Sequence, residues 1–305
     1  MRQSRMHLIA YRTDEGVRGA VEIGGRRVAL SALNWTLGGD WPVDVESLIR
    51  SGRLAAFRAW LAANEDAAAG VPTLPDDFAP APLLARPPKI VAVGLNYEEH
   101  ATDLAEERPE EPATFMKPAT TLIGPGGEVV LPLQSDRTTG EAELALVVGE
   151  RCYEVAAADA PSVIAGFAQV IDMTAEDVLE RNPRFLTRAK SFDTFLVLGD
   201  RLVPVDGLTD DPADLGAVEI ATLADGVAQR SNRVAAMRFS PWELVAFFSA
   251  VSTLEPGDLI LTGTPGAVVL SDGMRIGGSV AGIGILEATV RDRKVREGPP
   301  SGMGG

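Results

Sequence analysis

The sequence predicts a larger β-dominated domain preceded by a small α+β unit, and three features carry that expectation. Beyond residue 89 the apolar runs are short and punctuated by Gly, Pro and Asp, helical periodicity is sparse there, and a proline-dense stretch separates the two parts. In the first part, residues 18–23 and 26–30 read as strands joined by Gly24-Gly25, a pair able to take the positive φ angles of a tight hairpin. Asp44 can cap a short helix ending near Gly52, and Leu54, Phe57, Trp60 and Leu61 recur at helical spacing through a second one. Residues 1–75 therefore form a small N-terminal α+β domain. Prolines at 72, 75, 80, 82, 87 and 88 make 76–88 a Pro-rich linker.

The catalytic part, residues 89–297, offers strands at 90–93, 144–148, 163–171, 195–198, 259–261 and 283–290, with Asp225-Gly226 as a hairpin turn. Two helices stand out. One covers 174–181, with Thr174 as cap and Asp177 completing a capping box; the other covers 240–251, with Ser240, Pro241 and Glu243 in capping order. Residues 298–305, rich in glycine, read as a disordered tail.

Composition narrows the function. The chain has 305 residues, 46% apolar and 23% charged, enough for a sizeable core. Its net charge of -15 argues against a nucleic-acid partner, which needs a concentrated basic surface. No apolar run is long enough for a membrane span or a signal segment, so the expected location is cytoplasmic, away from membranes. Cys152 is the single cysteine, and His7 and His100 are the only histidines, so a metal site must rest on oxygen ligands, which suits Mg, Mn or Ca.

Glu141 and Glu143 begin a strand whose period of two puts both on one face, roughly 6 to 7 Å apart. An isolated pair of this kind reads first as a solvated strand end, but here the following residues are apolar. A shared cation would remove the repulsion between two such carboxylates. Asp172 ends the apolar run 163–171, where an acid can point into a cleft or simply make a turn. Only four lysines, at 89, 117, 190 and 294, stand against 24 arginines, so Lys117 and Lys190 are candidates for places needing a compact ammonium. His100 lies three residues before Asp103, a spacing that lets a carboxylate orient a water-activating imidazole, although an acidic stretch like this one is more often just solvated.

Taken in order, six motifs resemble the fumarylacetoacetate hydrolase superfamily: Val93-Gly94-Leu95-Asn96-Tyr97 with His100; Phe115-Met116-Lys117-Pro118; Gly140-Glu141-Ala142-Glu143-Leu144; Ile171-Asp172-Met173-Thr174-Ala175; Lys190-Ser191-Phe192-Asp193-Thr194-Phe195; and Thr262-Gly263-Thr264-Pro265. The resemblance implies a mixed β-sandwich roll, a homodimer, and Mg or Mn held by Glu141, Glu143 and Asp172. It also implies a catalytic lysine at Lys190, a catalytic His100 whose partner here is Asp103 where the hydrolases have a Glu, one methylene longer, and substrate contacts from Asn96, Tyr97, Lys117 and Thr264. Where many relatives read Ala-Arg-Asp and use the Arg to hold a substrate carboxylate, this chain has Ala175-Glu176-Asp177. Glu176 then either faces the cleft, where it would repel a carboxylate, or occupies the first turn of a helix, where acids are favoured.

The expected activity is divalent-metal-dependent hydrolysis of a C-C bond in a 2-oxo acid or 1,3-dicarbonyl substrate through a metal-stabilised enolate. Decarboxylation or keto-enol isomerisation on the same site is the alternative, and a catalytically silent binding protein is the alternative of another class.

Overall fold

A computed structural model describes residues 6–97 and 110–297. His100, Asp103 and the tail 298–305 lie outside the described residues.

The N-terminal part is built on β1 (His7–Thr13), β2 (Gly16–Ile23) and β3 (Arg26–Ala29), an antiparallel meander. Gly24 and Gly25 connect the last two strands with φ of 56° and 78°, the left-handed pair a two-residue hairpin requires. Four helices follow, α1 (Leu30–Leu37), α2 (Val45–Arg50), α3 (Leu54–Ala63) and α4 (Glu65–Ala68). Asp44 caps α2 by accepting a 2.7 Å hydrogen bond from the Ser47 amide. Leu54, Phe57 and Leu61 on α3 point inward, as their spacing predicts.

The segment 76–88 is woven into the structure. Its strand β4 (Ala79–Pro80) pairs with β1, and Ala81, Leu83 and Leu84 are buried. Prolines suit this edge because they need not donate to a ladder.

The catalytic part contains β5 (Ile90–Gly94), β6 (Ala113–Met116), β7 (Leu122–Ile123), β8 (Glu128–Leu131), β9 (Thr138–Val148), β10 (Ile164–Ala175), β11 (Leu196–Leu198), β12 (Arg201–Leu202), β13 (Glu219–Ala224), β14 (Val227–Arg233), β15 (Leu259–Leu261), β16 (Val268–Val269), β17 (Arg275–Val280) and β18 (Gly284–Asp292). Among the described residues, the main sheet runs β6-β5-β15-β9-β10-β11-β7, with β16 also on β9, and a second sheet runs β14-β13-β17-β18-β8. The helices are short: α5 (Glu176–Arg181), α6 (Leu186–Lys190), α7 (Val205–Leu208), α8 (Pro241–Val251) and α9 (Arg293–Glu297). Ser240 and Glu243 close the capping box on α8 as expected.

At α5 the structure corrects the sequence expectation. Strand β10 continues through Ala175, so Thr174 pairs with Thr139 in the ladder instead of capping a helix, and α5 begins at Glu176 with no side-chain cap. Asp177 accepts hydrogen bonds from Ser135 Oγ and the Asp136 amide, not from a capping box. The cross-strand ladder outweighs the local pattern because it satisfies two backbones at once.

The central pair β9-β10, the longest strands among the described residues, is buried on both faces. On one face Leu144, Leu146 and Phe167 meet Ile220 and Val280 of the second sheet, and Ile171 and Met173 meet Ile276 and Leu286. On the other, Ala145, Val147, Ala168 and Val170 share a core with Leu8, Val21, Phe57 and Leu84 of the N-terminal part, and β12 pairs directly with β1. Because this core is continuous, Leu84→Ala and Leu198→Ala should each cost about 2–5 kcal/mol and shift a single cooperative unfolding transition. Circular dichroism melts with a separate, unshifted transition for the N-terminal part would contradict it.

Candidate metal centre and active site

The ladder between β9 and β10 places the acids. Residues on one face pair as Ala145 with Ala168, Glu143 with Val170 and Glu141 with Asp172. The same face therefore changes from aliphatic to acidic where the shared core ends. Glu141 and Asp172 are direct cross-strand neighbours, and Glu143 is diagonal to Asp172. One carboxylate oxygen from each of the three lies within 4.8 Å of the others. The three residues are 8%, 2% and 0% exposed, so water does not screen them.

Two lysines enter from neighbouring elements. Lys190, the last residue of α6, donates to Glu141 Oε2 at 3.1 Å and to Asp172 Oδ2 at 2.9 Å, with its ammonium 4.7 Å above the Phe115 ring. Lys117, just after β6, donates to Asp172 Oδ1 at 2.6 Å, to the Lys190 carbonyl at 2.5 Å and to the Met173 carbonyl at 3.3 Å.

The electrostatics follow from these contacts. Burial alone lowers the Lys190 ammonium, but Asp172, Glu141 and Glu143 together outweigh it and hold it above its ordinary range. Lys117 is lowered to about 8, chiefly by burial, with Lys190 adding repulsion and Asp172 only partly compensating. The two lysines move in opposite directions because one faces three carboxylates and the other chiefly one. Glu143 is pushed well up by burial and by the charges of Asp172 and Glu141, against the pull of Lys190 and of the Gly263 amide.

That amide donates to Glu143 Oε2 at 2.7 Å. Gly263 has a φ of 89°, and a Cβ there would stand 3.0 Å from Asn96 Cβ, so the turn that aims the amide admits no side chain. Asn96 holds this turn in place: its amide nitrogen donates to the carbonyls of Phe239 and Thr262 at 3.0 and 2.9 Å, and its oxygen accepts from the Phe239 amide.

Among the described residues, each one singled out in the sequence now has a place. Glu141, Glu143, Asp172, Lys117 and Lys190 come together. Asn96 and Lys117 act here as internal braces, the donors on both side chains being bonded to protein acceptors. The Thr264 hydroxyl donates to the Gly266 carbonyl and accepts from its amide, stabilising its own turn. Tyr97 is fully buried, and its hydroxyl, which has no hydrogen-bond partner among the described residues, is pushed upward by burial and the charge of Glu143. Glu176 is ion-paired with Arg137, whose carbonyl also accepts from the Glu176 amide at 2.8 Å. His100 and Asp103 are outside the described residues.

The donor set fits a divalent cation. Three convergent, buried carboxylates face two ammonium groups among the described residues, and all-oxygen ligation suits a hard ion that keeps some of its waters. Lys190→Met removes the ammonium that Glu141 and Asp172 share, leaving Lys117 on Asp172, and should cost the metal-free protein about 3–5 kcal/mol. Added Mn(II) should restore its melting temperature by more than it raises that of wild type. Equal metal-induced shifts in the two proteins would show that Lys190 and the cation do not share these carboxylates.

A two-sheet roll carrying a buried carboxylate triad defines the class, and the comparisons agree. Residues 89–291 match the fumarylacetoacetate (FAA) hydrolase C-terminal family, and the chain belongs to that family. Human mitochondrial oxaloacetate tautomerase FAHD2A is 36% identical over 252 residues, covering 80% of this chain and 75% of its own. The structure of 5-carboxymethyl-2-hydroxymuconate delta-isomerase from Mycobacterium smegmatis aligns with a TM-score of 0.71 at 30% identity, over 94% of this chain and 99% of its own. Maleylpyruvate hydrolase from Sphingobium sp. SYK-6, solved with manganese(II) and pyruvate, aligns with a TM-score of 0.74 at 28% identity, over 93% of this chain and 99% of its own. Hydrolysis and isomerisation are thus both represented among its structural relatives.

Proposed function

We propose that this protein is a divalent-metal-dependent hydrolase that cleaves a C-C bond in a 2-oxo acid or 1,3-dicarbonyl substrate of the acylpyruvate type. The observation that carries the reading is the convergence of Glu141, Glu143 and Asp172 beside the ammonium of Lys190. A cation held by the triad, Mg or Mn, supplies Lewis acidity toward a chelating 2-oxo acid. Lys190, kept protonated by its carboxylate neighbours, offers a fixed positive charge to the substrate oxygen on which negative charge develops. Lys117 holds Asp172 and the Lys190 carbonyl, so the two catalytic elements keep their spacing. Gly263 and Asn96 orient Glu143 from the other side. His100, oriented by Asp103, activates the attacking water.

The second reading is keto-enol isomerisation of a 2-oxo diacid, favoured by the identity to oxaloacetate tautomerase. It uses the same charges and needs no water attack. The homodimer that family resemblance implies belongs to the same proposal and is tested by light scattering on the purified protein.

With Mg or Mn present, the enol absorbance of an acylpyruvate should fall as pyruvate and a carboxylic acid appear, and a chelator should stop the reaction. Lys190→Met should lower kcat by about 10²–10³. His100→Asn separates the two readings: loss of cleavage with keto-enol exchange retained supports hydrolysis through His100, whereas wild type that exchanges but never cleaves supports the isomerase. No metal-dependent change of any 2-oxo acid would leave only the binding-protein alternative.

A further inference from the structure

The face of the β9-β10 ladder that carries the metal-type site does not end at Asp172. The register is unbroken from Gly166 to Ala175, so the next pair on that face is Thr139 with Thr174, and beyond it Glu176 meets Arg137. The residues between them point the other way: Ile171, Met173 and Ala175 sit in the apolar core, and Gly140 lies against Ile276 and Leu270. The metal face therefore reads, in order, a carboxylate step and a hydroxyl step, and the Glu176–Arg137 ion pair follows just past the end of the ladder.

The hydroxyl step holds an unsatisfied group. Thr174 is 5% exposed and its Oγ1 is buried with no hydrogen-bond partner among the described residues. Thr139, opposite it, is 2% exposed. A buried hydroxyl without a partner is costly to keep, and valine would fill the same space on a strand without that cost. Thr174 also lies about 6 to 7 Å along the strand from Asp172, the advance of two residues. That spacing matches a substrate atom two or three bonds beyond a unit chelated at the triad.

The ion pair sets the charge at this end. Glu176 alone would repel an anionic ligand, but its carboxylate is bonded to the Arg137 guanidinium, and its side chain is largely buried there. The strip beyond the triad is accordingly neutral and hydroxyl-lined.

On this basis, and resting on the proposed 2-oxo acid chemistry, we infer that Thr174 is a substrate-specificity residue: its hydroxyl donates to an oxygen acceptor on the part of the substrate distal to the chelating end. The Arg137–Glu176 pair is a positioning element that closes the strip behind it. The acceptor is a ketone or a carboxylate oxygen.

The test compares wild type, Thr174→Val and Thr174→Ser, all loaded with Mn(II). Calorimetry measures binding of pyruvate, which has the chelating unit alone, and of 2-oxoglutarate, which adds a distal carboxylate; KM for acetylpyruvate reports a distal ketone. Thr174→Val should weaken 2-oxoglutarate, or raise KM for acetylpyruvate, by about tenfold, leaving pyruvate binding and kcat within twofold. Whichever extended compound responds identifies the acceptor. Thr174→Ser should recover most of the loss, and Mn(II) affinity should be the same in all three. Equal losses for pyruvate and both extended compounds, no loss for any, or a wild type that gains nothing from either distal oxygen overturns the assignment to Thr174. Failure of wild type to bind pyruvate in the presence of Mn(II) removes the metal-site reading itself, and the assignment with it.

Discussion

The structure depends on confining three carboxylates to one face of a buried two-stranded ladder. Negative charge of that density is not stable in an apolar surrounding unless cations enter with it. Two lysines do so here, one between Glu141 and Asp172 and one behind Asp172, and the backbone amide of Gly263 takes the remaining approach to Glu143. Much of the surrounding architecture serves to bring these donors in: β6 delivers Lys117, α6 delivers Lys190, and the turn after β15 delivers Gly263. The aliphatic half of the same face packs on the N-terminal part, so that part supports the floor of the site, while the described residues that meet at the triad come from elsewhere in the chain.

What could be read from the sequence divides along a physical line. Features that depend on local period were visible: the alternation that puts Glu141 beside Glu143, the acid that ends the run leading to Asp172, the Gly24-Gly25 hairpin and the Ser240 cap. Features that depend on which strand lies alongside were not. Thr174 matches a helix-cap pattern with Asp177, yet it pairs with Thr139, and only the register reveals this. Arg137 carries no local signal at all, because the partner that gives it meaning is 39 positions away at Glu176.

The lysines show a third case. Their scarcity marked Lys117 and Lys190 as special, but not which of them is free to act. That depends on how many donors each ammonium has already spent: Lys117 has given all three to protein acceptors, while Lys190 gives two to carboxylates that a metal would also claim. Asn96 likewise has its amide nitrogen and oxygen bonded to protein partners. Backbone donors such as the Gly263 amide are invisible to any reading of side-chain types, although the need for glycine at that turn leaves a trace in the Thr262-Gly263-Thr264-Pro265 motif.

The most direct measurement is the anomalous scattering of crystals grown with Mn(II). One peak bonded to an oxygen from each of Glu141, Glu143 and Asp172, beside the Lys190 ammonium, is the result expected. Full occupancy of those three carboxylates by lysine and solvent, with manganese bound elsewhere or nowhere, would contradict it.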